Sequence, residues 1–167
     1  MTLPKKYCRC DIMELPKRKS PRICGYDYSL PNYYFITICT HSKKCIFGKP
    51  NQLNAYGSIA ENCLKEIEKV FPFIVLDKYV VMPNHIHGIF VIEDETGKQN
   101  LTTVLAQYKM SVTKKIRKID PKIVVWQRSF HDHIIRNQAS YEKIWMYIED
   151  NPRKWDEDCF YCTDSDE

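Results

Sequence analysis

No apolar run in this chain is long enough to span a bilayer, and its first residues lack the apolar segment and small-residue cleavage site of a signal peptide. A cytoplasmic protein with no membrane partner is the expectation. Internal repeats and low-complexity tracts are absent. At 167 residues the length suits one domain, large enough to bury a core without metal or disulfide support, and leaves little room for a second. A strong overall charge is also missing, since the net value is only +4. The charge is unevenly spread. Lys5, Lys6, Arg9, Lys17, Arg18, Lys19 and Arg22 crowd the start, while Asp156, Glu157, Asp158, Asp164, Asp166 and Glu167 crowd the end. Residues 1–31, with Pro4, Pro16, Pro21 and Pro31 and no sustained period, read as a basic arm outside the core, and residues 156–167 as an acidic tail. A basic arm suits a phosphate-rich partner, and solvated charge on a terminus explains it equally well.

Eight cysteines in a reducing compartment are expected as thiols or metal ligands rather than disulfides. Only Cys8-Arg9-Cys10 and Cys159-Phe160-Tyr161-Cys162 have ligand-like spacing. A structural Zn²⁺ held by Cys8, Cys10, Cys159 and Cys162 would tie the two ends together, but neither spacing alone specifies a closed tetrahedron, and reduced, unliganded cysteines are the default. Cys24, Cys39, Cys45 and Cys63 read as buried or half-buried thiols.

Tyr33 to Thr40, aromatic and β-branched throughout, predicts a central buried strand. From Asn54 to Phe71 apolar residues recur at three and four, predicting an amphipathic helix with Ser58 and Glu61 as a capping box near its start and Pro72 as its stop. Ile74 to Met82 and His85 to Ile92 predict strands joined by Pro83-Asn84, too short for anything but an antiparallel hairpin. Leu101, Val104, Leu105, Tyr108, Val112 and Ile116 mark a second helix, Ile123 to Trp126 a short fourth strand, and Ser140 to Asp150 a third helix. The order is the ferredoxin-like βαββαβ plan of an α+β protein: an antiparallel sheet, two helices on one face, and an additional C-terminal helix to cover the other.

His85 and His87 flank Ile86 on one strand, so both imidazoles share a face and can clasp one divalent cation. Tyr147 and Asn151, four apart, project from one helical face and could bring a nucleophile and a third ligand to that ion. Each feature has an ordinary reading too: hydrogen-bonded structural histidines, a boundary tyrosine, a helix-ending Asn before Pro. Together they point to phosphodiester chemistry. A Mg²⁺ or Mn²⁺ on His85, His87 and Asn151 would draw charge from the phosphate oxygens while Tyr147 attacks phosphorus, giving a 5′-phosphotyrosine and a free 3′ hydroxyl. Tyr141 is the rival nucleophile, but Trp145, four positions on, cannot ligate a metal. His131-Asp132-His133 is a second histidine pair that could form a metal site or an acid-base pair, but it is read chiefly as support, with Asp132 and His133 holding Arg136 or backbone in the approach to the last helix. Lys109, Lys114, Lys115 and Lys118 form either a solvated helix face or, with Lys17, Arg18, Lys19 and Arg22, a phosphate track.

Met82-Pro83-Asn84-His85-Ile86-His87, followed by Tyr147-Ile148-Glu149-Asp150-Asn151-Pro152, resembles the HUH motif and tyrosine helix of the REP-associated tyrosine transposases. Gly25 to Ser29, the strand that follows, and Trp126 to Arg136 add to the likeness, which spans roughly residues 22–155. The resemblance implies a transposase-like catalytic domain over residues 32–155: a metal-dependent endonuclease and strand transferase for DNA transposition and recombination on single-stranded DNA, with REP hairpins as substrates. On matching positions His85 and His87 become ligands, Tyr147 the nucleophile and Asn151 the third ligand. Members of the wider group act as homodimers or monomers, so oligomeric state stays open. A metal hydrolase using activated water, and a non-catalytic hairpin-binding protein, are the alternatives.

Overall fold

In the computed structural model, residues 25–93, 96 and 99–161 are described. Strand β1 (Asn32–Cys39) is central because both edges are used: it pairs antiparallel with β5 (His85–Ile92) from Asn32↔Ile92 to Cys39↔His85, and with β6 (His131–Ile135). A two-strand hairpin, β2 (Gly48–Lys49) with β3 (Gln52–Leu53), precedes helix α1 (Ala55–Lys65). Helices α2 (Ile67–Val70), α3 (Leu101–Ile116) and α4 (Gln138–Asp150) and strand β4 (Ile74–Val81) complete the elements. The sheet order is β4-β5-β1-β6, every neighbour antiparallel. The molecule is thus α+β, with a four-stranded antiparallel sheet.

Strand alternation divides the apolar residues between two cores. Tyr34, Ile36, Ile38, Ile86, Phe90 and Ile92 face one way, against Ala60 and Leu64 of α1 and Val104, Leu105 and Val112 of α3. Phe35, Ile89, Val91 and Ile135 face the other, against Ile144, Tyr147 and Ile148 of α4. The third helix therefore covers the opposite face, as its apolar stripe predicts, and lays Tyr147 over the sheet.

Three expectations fail, each for a local reason. The cap of α1 is Asn54, whose Oδ1 accepts from the N–H groups of Tyr56 and Gly57, both at 3.0 Å; Ser58 is already inside the helix, its N–H donating to Asn54 O. Gly57 is required there because a Cβ would lie 2.3 Å from the carbonyl oxygen of Phe47. The helix does not run unbroken to Phe71 but breaks at Glu66 and resumes as α2. The fourth strand is His131–Ile135, not Ile123–Trp126, which touches β1's continuation only through a single Thr40↔Trp126 bridge. Val124 is exposed, and the Trp126 indole N–H is spent on Lys109 O at 3.1 Å, so that apolar run anchors a loop.

The expected arm and tail also shrink. Tyr28 is buried against Tyr34 and Phe130, and its carbonyl accepts from Leu101 N–H at 3.0 Å, so this residue of the expected arm joins the core, with Tyr26 packed against it. At the other end Pro152 opens a 3₁₀ segment, Asn151–Glu157, that folds the chain back and buries Asp158. Lys5, Lys6, Arg9, Lys17, Arg18, Lys19, Arg22, Asp164, Asp166 and Glu167 lie outside the described residues.

Candidate active site

His85 and His87 open β5 on the face that α4 covers, with ring centroids 4.4 Å apart, and both are almost fully buried. Their outer nitrogens are fixed by neighbours. Asn84, itself buried, donates its amide N–H groups to Lys43 O at 2.9 Å and Phe160 O at 2.7 Å, which leaves its oxygen for His85 Nδ1 at 2.9 Å. A carboxamide oxygen only accepts, so Nδ1 carries the proton and Nε2 keeps its lone pair. Across the β1–β5 ladder Thr37 Oγ1 lies 2.8 Å from His87 Nδ1, and the hydroxyl can take that N–H in the same way. Second-layer bonds of this kind are how proteins aim imidazole lone pairs at a metal.

Helix α4 brings Tyr147 OH to 3.2 Å from His87 Nε2. The same hydroxyl donates to Asp158 Oδ2 at 3.3 Å, and Asn151 Nδ2 donates to that oxygen at 2.7 Å. Of the three buried side-chain atoms without a hydrogen-bond partner among the described residues, two lie at this site, His85 Nε2 and Asn151 Oδ1, and both carry free lone pairs. Ligand atoms of His85, His87 and Asp158 lie within 4.8 Å of one another, and among the described residues they are the one such cluster. Two neutral imidazole nitrogens, a carboxylate and a carboxamide oxygen are a donor set that suits a divalent cation. Burial, the dominant effect, lowers the pKa of His85 to about 3, outweighing the opposing influence of Asn151; burial and the adjacent His85 also depress His87. Both rings are therefore neutral at ordinary pH, the form that binds metal. Burial first, then the Asp158 charge, holds Tyr147 well above the usual phenol range.

Two of the residues assembled here carry no signal in the sequence pattern. Asp158 reads as one charge in an acidic run, and Lys43 as one of two adjacent lysines in a loop. Lys43 sits in a turn where Ser42 and Lys43 both adopt positive φ (54° and 56°), and its ammonium lies 4.7 Å above the Phe160 ring.

Other candidates fall elsewhere. Tyr141 OH donates to Asp77 Oδ2 at 2.7 Å, away from the histidines, so Tyr147 alone of the two meets them. His131 and His133 lie on the sheet face of His87, two strands away at the edge, and do not join the cluster. Helix α3 packs on the opposite face, so its lysines are remote from the histidines. Lys109 donates to Gln127 O at 2.5 Å and holds a loop, and Lys115 pairs with Glu66 at 2.9 Å. Lys114 and Lys118 line an open groove with Arg117, Met110 and Trp126. Cys39 and Cys63 are buried free thiols as expected, and Cys159 is a half-buried free thiol. Cys45 differs: it is exposed and disulfide-bonded. Cys8, Cys10, Cys24 and Cys162 lie outside the described residues. Among the described residues no helix is long and apolar enough to cross a membrane.

Residues 28–151 match the family model described as Transposase IS200 like. The chain belongs to the IS200-like transposase family. An uncharacterized Haemophilus influenzae protein is 36% identical over 167 residues, covering 86% of this chain and 93% of that one. Among solved structures, a REP-associated tyrosine transposase bound to a REP hairpin shares the fold with a TM-score of 0.64 at 19% identity, over 80% of this chain and 73% of its own. A Deinococcus radiodurans protein assigned as a transposase aligns with a TM-score of 0.52 at 15% identity, over 77% of this chain and 97% of its own. The matched region of this IS200-like transposase runs from Tyr28 to Asn151, so it contains both histidines and Tyr147 but stops short of Asp158.

Proposed function

We propose that this IS200-like transposase is of the REP-associated kind: a metal-dependent nuclease and strand transferase that cuts single-stranded DNA beside a hairpin, with Tyr147 as nucleophile. The observation that carries the reading is the 3.2 Å approach of Tyr147 OH to His87 Nε2, beside the unpartnered His85 Nε2 and Asn151 Oδ1. His85, His87 and Asn151, with Asp158 in reach, would hold a Mg²⁺ or Mn²⁺; when bound, such an ion withdraws charge from the phosphate oxygens and favours the phenolate.

Tyr147 supplies the attacking oxygen. Its O–P bond forms as the P–O3′ bond breaks; the phenol gives up its proton and the departing 3′ oxygen gains one. The downstream strand remains on Tyr147 as a 5′-phosphotyrosine, and a second 3′ hydroxyl reverses the step to join strands without a nucleotide cofactor. Asn84 and Thr37 keep the imidazoles in their metal-binding tautomer throughout. The hairpin-bound structural relative supports a DNA hairpin as partner. Nucleophile and histidines meet within one chain, which supports action in cis.

The test uses hairpin DNA with a single-stranded flank, labelled at either end, incubated with Mn²⁺ and resolved under denaturing conditions. Only the 3′-labelled, downstream fragment should stay on the protein, and Tyr147→Phe should abolish that adduct. Cleavage that survives Tyr147→Phe would instead indicate activated water.

A further inference from the structure

Away from the histidines, the first turn of α4 and the sheet beneath it enclose a cavity of about 440 Å³, lined by Tyr33, Asp77, Ile135, Arg136, Asn137 and Tyr141 among others. That volume lies within the usual range of ligand pockets. Its aromatic walls meet edge to face, with the Tyr33 and Tyr141 ring centroids 5.9 Å apart. Tyr33 shares its sheet face with buried Phe35 and yet is 44% exposed. Asp77 reaches the cavity because β4 bulges: its ladder with β5 shifts between Leu76 and Lys78, and an extra residue of this kind re-aims a side chain. Asp77 Oδ2 accepts from Tyr141 OH at 2.7 Å, and a carboxylate has lone pairs to spare on both oxygens. Arg136 enters from the other side, since it follows β6, at the opposite sheet edge from β4. Seating α4 on the sheet needs the Tyr141–Asp77 bond. It needs neither the guanidinium nor the open face of Tyr33.

We propose that this cavity is a base-reading subsite that takes one guanine of the single strand leading to Tyr147. This rests on the DNA-cleaving reading above. Guanine is the DNA base with two adjacent donors, N1–H and N2–H, which match a carboxylate, while its acceptors O6 and N7 form a separate edge that an arginine fork matches. A guanine lying on Tyr33 can therefore donate to Asp77 on one side and accept from Arg136 on the other. Thymine flanks its single N3–H with carbonyls that a carboxylate repels, and adenine and cytosine have no paired donors. Aromatic stacking supplies the part of the affinity that every base shares. Tyr141 and Tyr147 are separated by about 9 Å of helix, the length of about two or three stacked nucleotides at roughly 3.4 Å each. The base read here thus lies a few nucleotides from the bond that breaks.

The experiment uses full-length protein carrying Tyr147→Phe, so that no strand is cut, with fluorescein-labelled thymine oligonucleotides that hold one central guanine, read by anisotropy. The guanine strand should bind at least fivefold more tightly than the all-thymine strand and than strands with adenine or cytosine at that place. Hypoxanthine there, which lacks the 2-amino group, and 7-deazaguanine, which lacks N7, should each lose part of that gain. Asp77→Asn should erase the penalty for hypoxanthine, and Arg136→Gln the penalty for 7-deazaguanine; both residues are exposed, so the variants keep the core intact. An excess of free guanosine monophosphate should leave the strand bound. Equal affinity for all four bases, or analogue penalties that persist in both variants, overturns the subsite while leaving the enzyme reading to the hairpin cleavage test. Displacement of the strand by an equal amount of the free nucleotide also overturns it, by making a mononucleotide the ligand. No binding of any strand overturns both readings.

Discussion

With its amide nitrogen committed to the carbonyls of Lys43 and Phe160, Asn84 has only its oxygen for His85, and one buried side chain thereby fixes which imidazole nitrogen can ligate. Asn84→Ala should weaken Mn²⁺ binding about 10- to 100-fold, the usual cost of losing such a partner; calorimetry showing unchanged affinity would mean the tautomer is set otherwise. Acid should also weaken the fold through these rings. His85 titrates at about 3 when folded against about 6.5 when unfolded, and His87 is likewise depressed. Below pH 6.5 the unfolded chain binds more protons than the native one, so stability falls as pH drops toward 3. In chelator, the urea midpoint should fall between pH 7 and pH 5, above the range where most carboxylates titrate, and His85→Gln should flatten that dependence. At this scale the histidine pair, Tyr147 and Asn151 were legible in the sequence because strand and helix periodicities place them. Asp158 was not. It follows Asp156 and Glu157, and only the 3₁₀ turn after Pro152 separates it from that solvated run.

Tyr147 reaches the histidines because α4 is seated by Ile144 and Ile148 against Phe35, Ile89 and Ile135. Ile148 is almost wholly buried. Ile148→Ala should cost about 2–5 kcal/mol in chemical denaturation and lower adduct yield at temperatures where the variant is still folded, since the helix carrying Tyr147 loses its anchor. Full adduct yield from the destabilised protein would show that the seat of α4 does not position the tyrosine. The main elements were readable from alternation and helical spacing, but the fourth strand was misplaced. Ile123-Val124-Val125-Trp126 has the stronger β-forming composition, whereas His131-Asp132-His133-Ile134-Ile135 wins because β1 offers it a five-residue ladder, a long-range pairing no local preference encodes.

For the molecule as a whole, Tyr147 and both histidines converge within a single chain. A mixture of Tyr147→Phe protein with His85→Gln/His87→Gln protein should therefore form no adduct; restored cleavage would reveal exchange of α4 between chains. The absence of long apolar segments was plain from the sequence, whereas the limits of arm and tail were not, because Tyr28 and Asp158 are drawn inward by tertiary contacts.

The division of the interior into two cores has a consequence for biosynthesis. The first core needs nothing beyond β6, while α4 and the Asn151–Glu157 turn follow in chain order. Translation releases the N-terminal portion first, so the imidazoles can be set in the sheet while the tyrosine is still in the ribosome's exit tunnel. On the reading proposed above, a half-made chain would be harmless to the genome, because Tyr147 reaches the imidazoles only together with the residues that cover them.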